Sequence, residues 1–202
     1  MVGTWQRLAH VELSSAGDTI DSGTFTAKEN LKVLIYIKPD GNTYRNITFN
    51  NDTGSNYTTR YSLNGGSDST ETSITAIAVW TDKDQPTMYT LNITNISDEE
   101  KLIIMEEVAT VSGAGNAPTR SETVAKWTNT SSQITSIKVT NSDVGDFDTG
   151  SYITVLGASG DTVTDEKTTL TNVPANTRYE ETDTRKIYRR KINTGSGLYW
   201  GI

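Results

Sequence analysis

The apolar residues of this chain recur at every second position, in short runs separated by turn-forming residues. A period of two places one set of side chains on one face of an extended strand, so the pattern predicts β structure almost throughout. The runs are Trp5 to Leu13, Thr19 to Ala27, Leu31 to Lys38, Tyr44 to Phe49, Tyr57 to Leu63, Ser73 to Trp80 and Thr87 to Ile96. Leu102 to Val111, Thr119 to Thr128, Gln133 to Thr140 and Ser151 to Ala158 continue the series. Leu31 to Lys38 is the most apolar, with Leu31, Val33, Ile35 and Ile37 on one face and Lys32, Leu34, Tyr36 and Lys38 on the other. Both sides are then partly covered, which predicts a central strand. Ser97 to Lys101 has the spacing of a helix start, with Ser97 as cap and Glu100 three residues on, and predicts a single helical turn.

The punctuation between runs is rich in Asn, Asp and Gly, which tolerate positive φ and bond their own backbone. The run ending at Phe49 and the run starting at Tyr57 flank Asn50-Asn51-Asp52-Thr53-Gly54-Ser55-Asn56, which predicts a β-hairpin with a long polar loop. Asn64 to Asp68 is a second turn, and Ser112 to Pro118 a flexible surface loop. Regular turns between short strands predict an all-β antiparallel β-sandwich over residues 1–158, jelly-roll-like in its spacing.

After Ser159 the character changes. Thr162 to Asn176 is polar and Thr-rich and reads as a linker or arm. Ile187 to Ile192 and Leu198 to Ile202 predict a terminal β-hairpin, so 159–202 forms a second region, an extended C-terminal arm and hairpin. A two-stranded hairpin is marginal alone in water. Tyr188, Ile192, Leu198, Tyr199, Trp200 and Ile202 are therefore the candidate assembly residues, expected to dock on another subunit by strand addition.

Charge narrows the partners. The 202 residues carry a net charge of −7, with a pI near 4.7. That argues against a general nucleic-acid binder, which needs a cationic face. The exception is the segment holding Arg185, Lys186, Arg189, Arg190 and Lys191, read either as a solvated strand edge or as a contact to an acidic surface of a neighbouring copy. No apolar run reaches the ~18 residues of a membrane helix, so no membrane insertion is expected. The start, Met1-Val2-Gly3-Thr4-Trp5, lacks the pattern of a signal peptide, and there is no Cys, so synthesis in a cytoplasm is expected.

Candidate chemistry is sparse. His10 is the single histidine and is expected at the rim of a sheet, so no catalytic residues are assigned and the chain is expected not to be an enzyme. Calcium is the one cofactor the residues suggest. Asn50, Asp52, Gly54 and Asn56 alternate oxygen side chains around a glycine, partly as in a calcium loop. Asp143, Asp146 and Asp148 add three carboxylates in six residues, and the two loops could share an ion if they met at one end of the sandwich. The rival is a plain turn closed by Asx bonds, which the single carboxylate in the first loop and its missing closing Glu favour. Asn-x-Ser/Thr sequons occur at Asn46, Asn51, Asn56, Asn92, Asn95 and Asn129, close to chance frequency, and no glycosylation is expected.

The string FNNDTGSNYTTRYSLNGG, residues 49–66, resembles a motif of the form FNxDTGSNYxxRYSxNGG in structural proteins of tailed phages, above all environmental ones from marine metagenomes. Gly17-Asp18, Ser22 to Leu31, Glu100-Lys101-Leu102, Lys126 to Ser131, Gly145-Asp146-Phe147, Gly150-Ser151 and Val155-Leu156-Gly157 resemble the same family in the same order. Asn176 to Tyr188 resembles a short module at the ends of many phage structural proteins. The resemblance implies a jelly-roll-like virion protein that partners other copies of itself and other virion proteins. Capsid decoration, coat and tail positions all remain open. One alternative is a carbohydrate- or receptor-binding adhesin module, with Trp80, Trp127, Tyr57 and Tyr61 meeting a host-surface glycan; another is a non-viral extracellular filament subunit.

Overall fold

The computed structural model describes residues 4–79 and 83–159, together with the backbone of three strands further on. The chain divides into two units, Thr4–Ala158 and one containing Ser159–Ile202, each described by itself.

The larger unit is all β and antiparallel; among the described residues there is no helix. An eight-stranded sheet holds β1 (Gln6–Glu12), β14 (Tyr152–Ala158), β3 (Asn30–Ile37), β9 (Thr87–Thr94), β10 (Lys101–Ala109), β11 (Thr119–Trp127), β6 (Tyr57–Leu63) and β7 (Ser69–Ile74), in that order. A four-stranded sheet holds β2 (Thr19–Asp21), β12 (Ile137–Asn141), β5 (Arg45–Phe49) and β8 (Ile77–Val79), and β4 (Pro39–Asp40) pairs with β13 (Asp146–Phe147). Alternation is strict where it matters. In β10, Lys101, Ile103, Met105, Glu107 and Ala109 are buried, while Leu102, Ile104, Glu106 and Val108 are exposed. Inward residues of the larger sheet (Leu31, Val33, Leu91, Ile103, Ile153) and of the smaller (Ile20, Ile47, Val139) join one core, so the two sheets face each other across it. The central position of β3, between β14 and β9, follows from its two-sided apolar pattern.

Three expectations change. The hairpin across Asn50 to Asn56 does not form: β5 pairs with β12 and β8, while β6 pairs with β11 and β7. The loop is a corner between sheets. Alternation cannot separate the two cases, because strands of a hairpin and strands on facing sheets both turn every second residue inward. Asn50 and Asn51, with φ of 52° and 55°, swing the chain out of the smaller sheet, and Phe49 and Tyr57 then meet across the core with ring centroids 6.0 Å apart. The hairpin instead joins β6 to β7 through Asn64 to Asp68. Second, Ser73 to Val79 is not one strand. Ser73 takes φ 54° and the chain leaves β7 for β8 in the other sheet; Trp80 lies outside the described residues. Third, Ser97 to Lys101 is a tight turn with Asp98 at φ 64°, not a helical turn.

In the second unit, β15 (Arg178–Glu180), β16 (Ile187–Asn193) and β17 (Gly197–Gly201) form a three-stranded antiparallel sheet. The expected hairpin is β16–β17, with Ile192 opposite Leu198 and Arg190 opposite Trp200; β15 was not expected. The linker 162–176, the turn 194–196 and Ile202 lie outside the described residues.

Candidate functional site

The Asn50 to Asn56 corner is closed by its own side chains. The Asp52 carboxylate accepts hydrogen bonds from the Gly54 N–H (2.9 Å), from Asn56 Nδ2 (2.9 and 3.1 Å) and from the indole Nε1–H of Trp127 (2.7 Å). Tyr57 O–H donates to the Asp52 carbonyl at 3.0 Å and accepts from the Phe49 N–H at 3.0 Å. Partial burial pushes the Asp52 carboxyl upward, but the bonds from Trp127, Asn56 and Gly54 outweigh it and hold the group below the usual carboxylate range. Asn50 accepts from the Thr135 and Ser136 N–H groups and donates to the Gln133 carbonyl. Its side chain thus ties the corner to the segment entering β12. A side chain at Gly54 would crowd this network: its Cβ would lie 2.8 Å from Asn56 Nδ2, and the amide would have to shift.

The second loop sits elsewhere. Ile137 pairs with Phe49 at one end of β12 and Asn141 with Arg45 at the other. The Asn50 corner follows the first pair and Asp143 the second, about 13 Å apart by strand rise. The structure therefore does not bring Asn50, Asp52, Gly54 and Asn56 together with Asp143, Asp146 and Asp148. Asp143 pairs with Lys83 at 2.9 Å and Asp148 with Lys38 at 2.6 Å, and those lysine bonds hold both carboxyls low. Asp146 is opposite: desolvation first, then the charge of Asp18, raises it. Among the described residues, no group of three or more His, Cys, Asp or Glu is arranged to hold a metal ion.

Other candidates are placed by burial. Tyr57 and Trp127 are fully buried and stacked, with centroids 6.5 Å apart, so neither offers a ring to a sugar; Tyr61 is half-buried. His10 is exposed on β1, its Nδ1 2.8 Å from Thr154 Oγ1. The Asn95 sequon is buried, with its side chain bonded to Lys28 and Ile134.

Two features escaped the sequence. Arg45 is a fully buried charge that donates to Thr43 Oγ1, Thr87 Oγ1, Tyr89 O–H and the carbonyls of Lys83 and Gln85. Glu107 is also buried, and burial followed by the Glu107 charge raises the Tyr89 phenol against the opposing pull of Arg45. An Arg and a Glu at inward strand positions were the available signal.

The other feature is the outer face of the eight-stranded sheet. Met88, Leu102, Ile104, Val108 and Val124 are each between 44% and 57% exposed there, too many neighbours to be scattered surface residues. The register sets Val108 opposite Met88 and Ile104 opposite Val124. Between these apolar pairs Glu106 stands directly opposite Glu122, whose carboxylate is already paired with Arg120 of the same strand. A shallow depression of about 360 Å³ opens over this pair, lined by Arg60, Ser62, Asp68, Ile104, Glu106 and Glu122 among others.

Compared with known proteins, the chain matches no family model, no curated protein and no solved structure.

Proposed function

We propose that this chain is a structural subunit of a tailed-phage particle, a jelly-roll-like sandwich that self-assembles through β-sheet contacts and its C-terminal sheet. The observation that carries the reading is the separate unit β15–β17. Its sequence holds Tyr179, Ile187, Tyr188, Ile192, Leu198, Tyr199 and Trp200 in three short strands. Ordering such a small sheet costs about 1–2 kcal/mol of backbone entropy per residue. Burying side chains of this size against a partner returns roughly 1.5–3 kcal/mol each, so a docking surface tips the balance. The resemblance of residues 49–66 and 176–188 to phage structural proteins adds the setting: a virion, with other copies and other virion proteins as partners. The burial of Tyr57 and Trp127 takes support away from the glycan-binding alternative.

Truncation after Ala158 tests it. Light scattering should find the full chain associated and the truncated chain monomeric, with an unchanged β-rich circular dichroism spectrum. A truncated chain that assembles like the full one would remove the arm from assembly, and a full chain that stays monomeric would remove assembly altogether.

A further inference from the structure

We infer that β1, at the edge of the eight-stranded sheet, pairs antiparallel with β1 of a second copy of this chain about a two-fold axis at Val11. The inference rests on the assembly reading above, in which the arm holds copies together, and names one of the sheet contacts they then make.

Among the described strands, β1, β7, β2 and β8 are the edges of the two facing sheets. β2 and β8 have three residues each. β7 is polar from Ser69 to Ser73, and Ser73 takes φ 54°, which turns the chain away. β1 differs in its inner row. Ala9, Val11 and the following Leu13 pack against the core, yet each stays only half-buried. Across the sheet their neighbours Val155 and Ile153 on β14 are fully buried. A strand added outside β1 would complete the cover of that row.

The backbone specifies the register. Leu13 N–H donates to the Ser151 carbonyl at 2.9 Å, toward β14. Directions alternate along a strand, so Ala9 and Val11 also turn their N–H and C=O groups to β14, while those of His10 and Glu12 face the open side. Pairing about Val11 sets His10 opposite Glu12 of the second copy, and Glu12 opposite its His10. Both pairs can then exchange two backbone hydrogen bonds. On the inner face Val11 meets Val11 and Ala9 meets Leu13, so the apolar row runs on across the join.

The side chains select the same register. His10 and Glu12 are exposed on the outer face. His10 Nδ1 lies 2.8 Å from Thr154 Oγ1; where it accepts that hydroxyl, Nε2 carries the proton and donates to a carboxylate. Pivoting at Glu12 would instead set two carboxylates opposite each other, which is unfavourable. Pivoting at His10 would bring Glu12 against Leu8, where the strand bulges between Arg7 and Ala9. The intermediate registers set inward residues against outward ones.

The chain has no Cys, so an introduced one reports this contact without background. Across the axis Val11 faces its equivalent in a non-hydrogen-bonded pair, with Cα atoms about 4.5 Å apart and within disulfide reach. Ala9 lies about 14 Å along the strand from its own equivalent, beyond that reach. Under mild oxidation of the full-length chain, Val11→Cys should form a covalent dimer roughly tenfold or more faster than Ala9→Cys, read on non-reducing gels. Ala9→Cys combined with Leu13→Cys should recover the fast rate, which gives a second route if Val11→Cys folds poorly; circular dichroism checks each variant. A contact this short is weak alone. Truncation after Ala158 should therefore leave a monomer by light scattering and slow the Val11→Cys crosslink by roughly tenfold or more, because the arm no longer raises the local concentration. Equal rates for Val11→Cys and Ala9→Cys in an associated full chain overturn the pairing and leave the arm reading standing, as when a strand of the C-terminal sheet occupies this edge instead. Selective Val11→Cys crosslinking that truncation does not slow keeps the pairing and removes the arm from it.

Discussion

At the scale of the residue, Asp52 shows how one side chain turns a loop into a corner. Its carboxylate collects donors from three directions, Gly54, Asn56 and Trp127, and the last reaches across from β11. A folded carboxyl held below its unfolded value adds stability that is fully present above the unfolded pKa, near 3.9, and is lost as pH falls through the folded one. Replacing Asp52 by Asn keeps the shape but puts an amide donor where these N–H groups point. Because the group is partly exposed, screening keeps the effect modest, and we expect Asp52→Asn to cost about 1 kcal/mol at pH 7. The difference from wild type should shrink in acid as wild-type Asp52 itself becomes protonated. Urea melts at pH 7 and pH 3 check this; an equal loss at both would show that charge has no part in it.

At the scale of the element, β5 depends on Arg45 as much as on its apolar neighbours Ile47 and Phe49. Arg45 binds Thr43 at the entry to its own strand, Thr87 and Tyr89 on β9, and carbonyls at Lys83 and Gln85 in the loop leading there. One guanidinium thus fastens the smaller sheet to the larger. Arg45→Met should cost about 3 kcal/mol, because it strands buried polar groups that an apolar chain cannot satisfy. Arg45→Lys should recover little of that, since an ammonium lacks the planar fork. Denaturant unfolding measures both; a loss below about 1 kcal/mol for Arg45→Met would mean that the network rearranges without it.

At the scale of the whole molecule, pairing joins distant parts of the chain. His10 lies opposite Thr154, and Asp21 opposite Lys138. Such pairings close long loops before they return any stability, so refolding of this β architecture should take roughly milliseconds to seconds. Stopped-flow fluorescence, with Trp127 buried in the core, would follow it, and a main phase faster than about 0.1 ms would contradict the argument.

What the sequence determined by itself was the all-β character, the inward residues of β3 and β9, and the β16–β17 pairing, because each rests on a period of two or a short turn within one stretch of chain. Local chemistry also pointed to Asx bonds in the Asn50 to Asn56 loop. Only the tertiary structure decided which strands pair. The alternation of β5 and β6 is the same for a hairpin as for two facing sheets, and the donors that choose the second, Trp127 and the Thr135–Ser136 backbone, are some seventy to eighty-five residues away. The same holds for the buried Arg45 and for the Glu106–Glu122 pair. Each is an ordinary charged residue in the chain, and becomes a fastening or a cross-strand neighbour only when another strand is laid beside it.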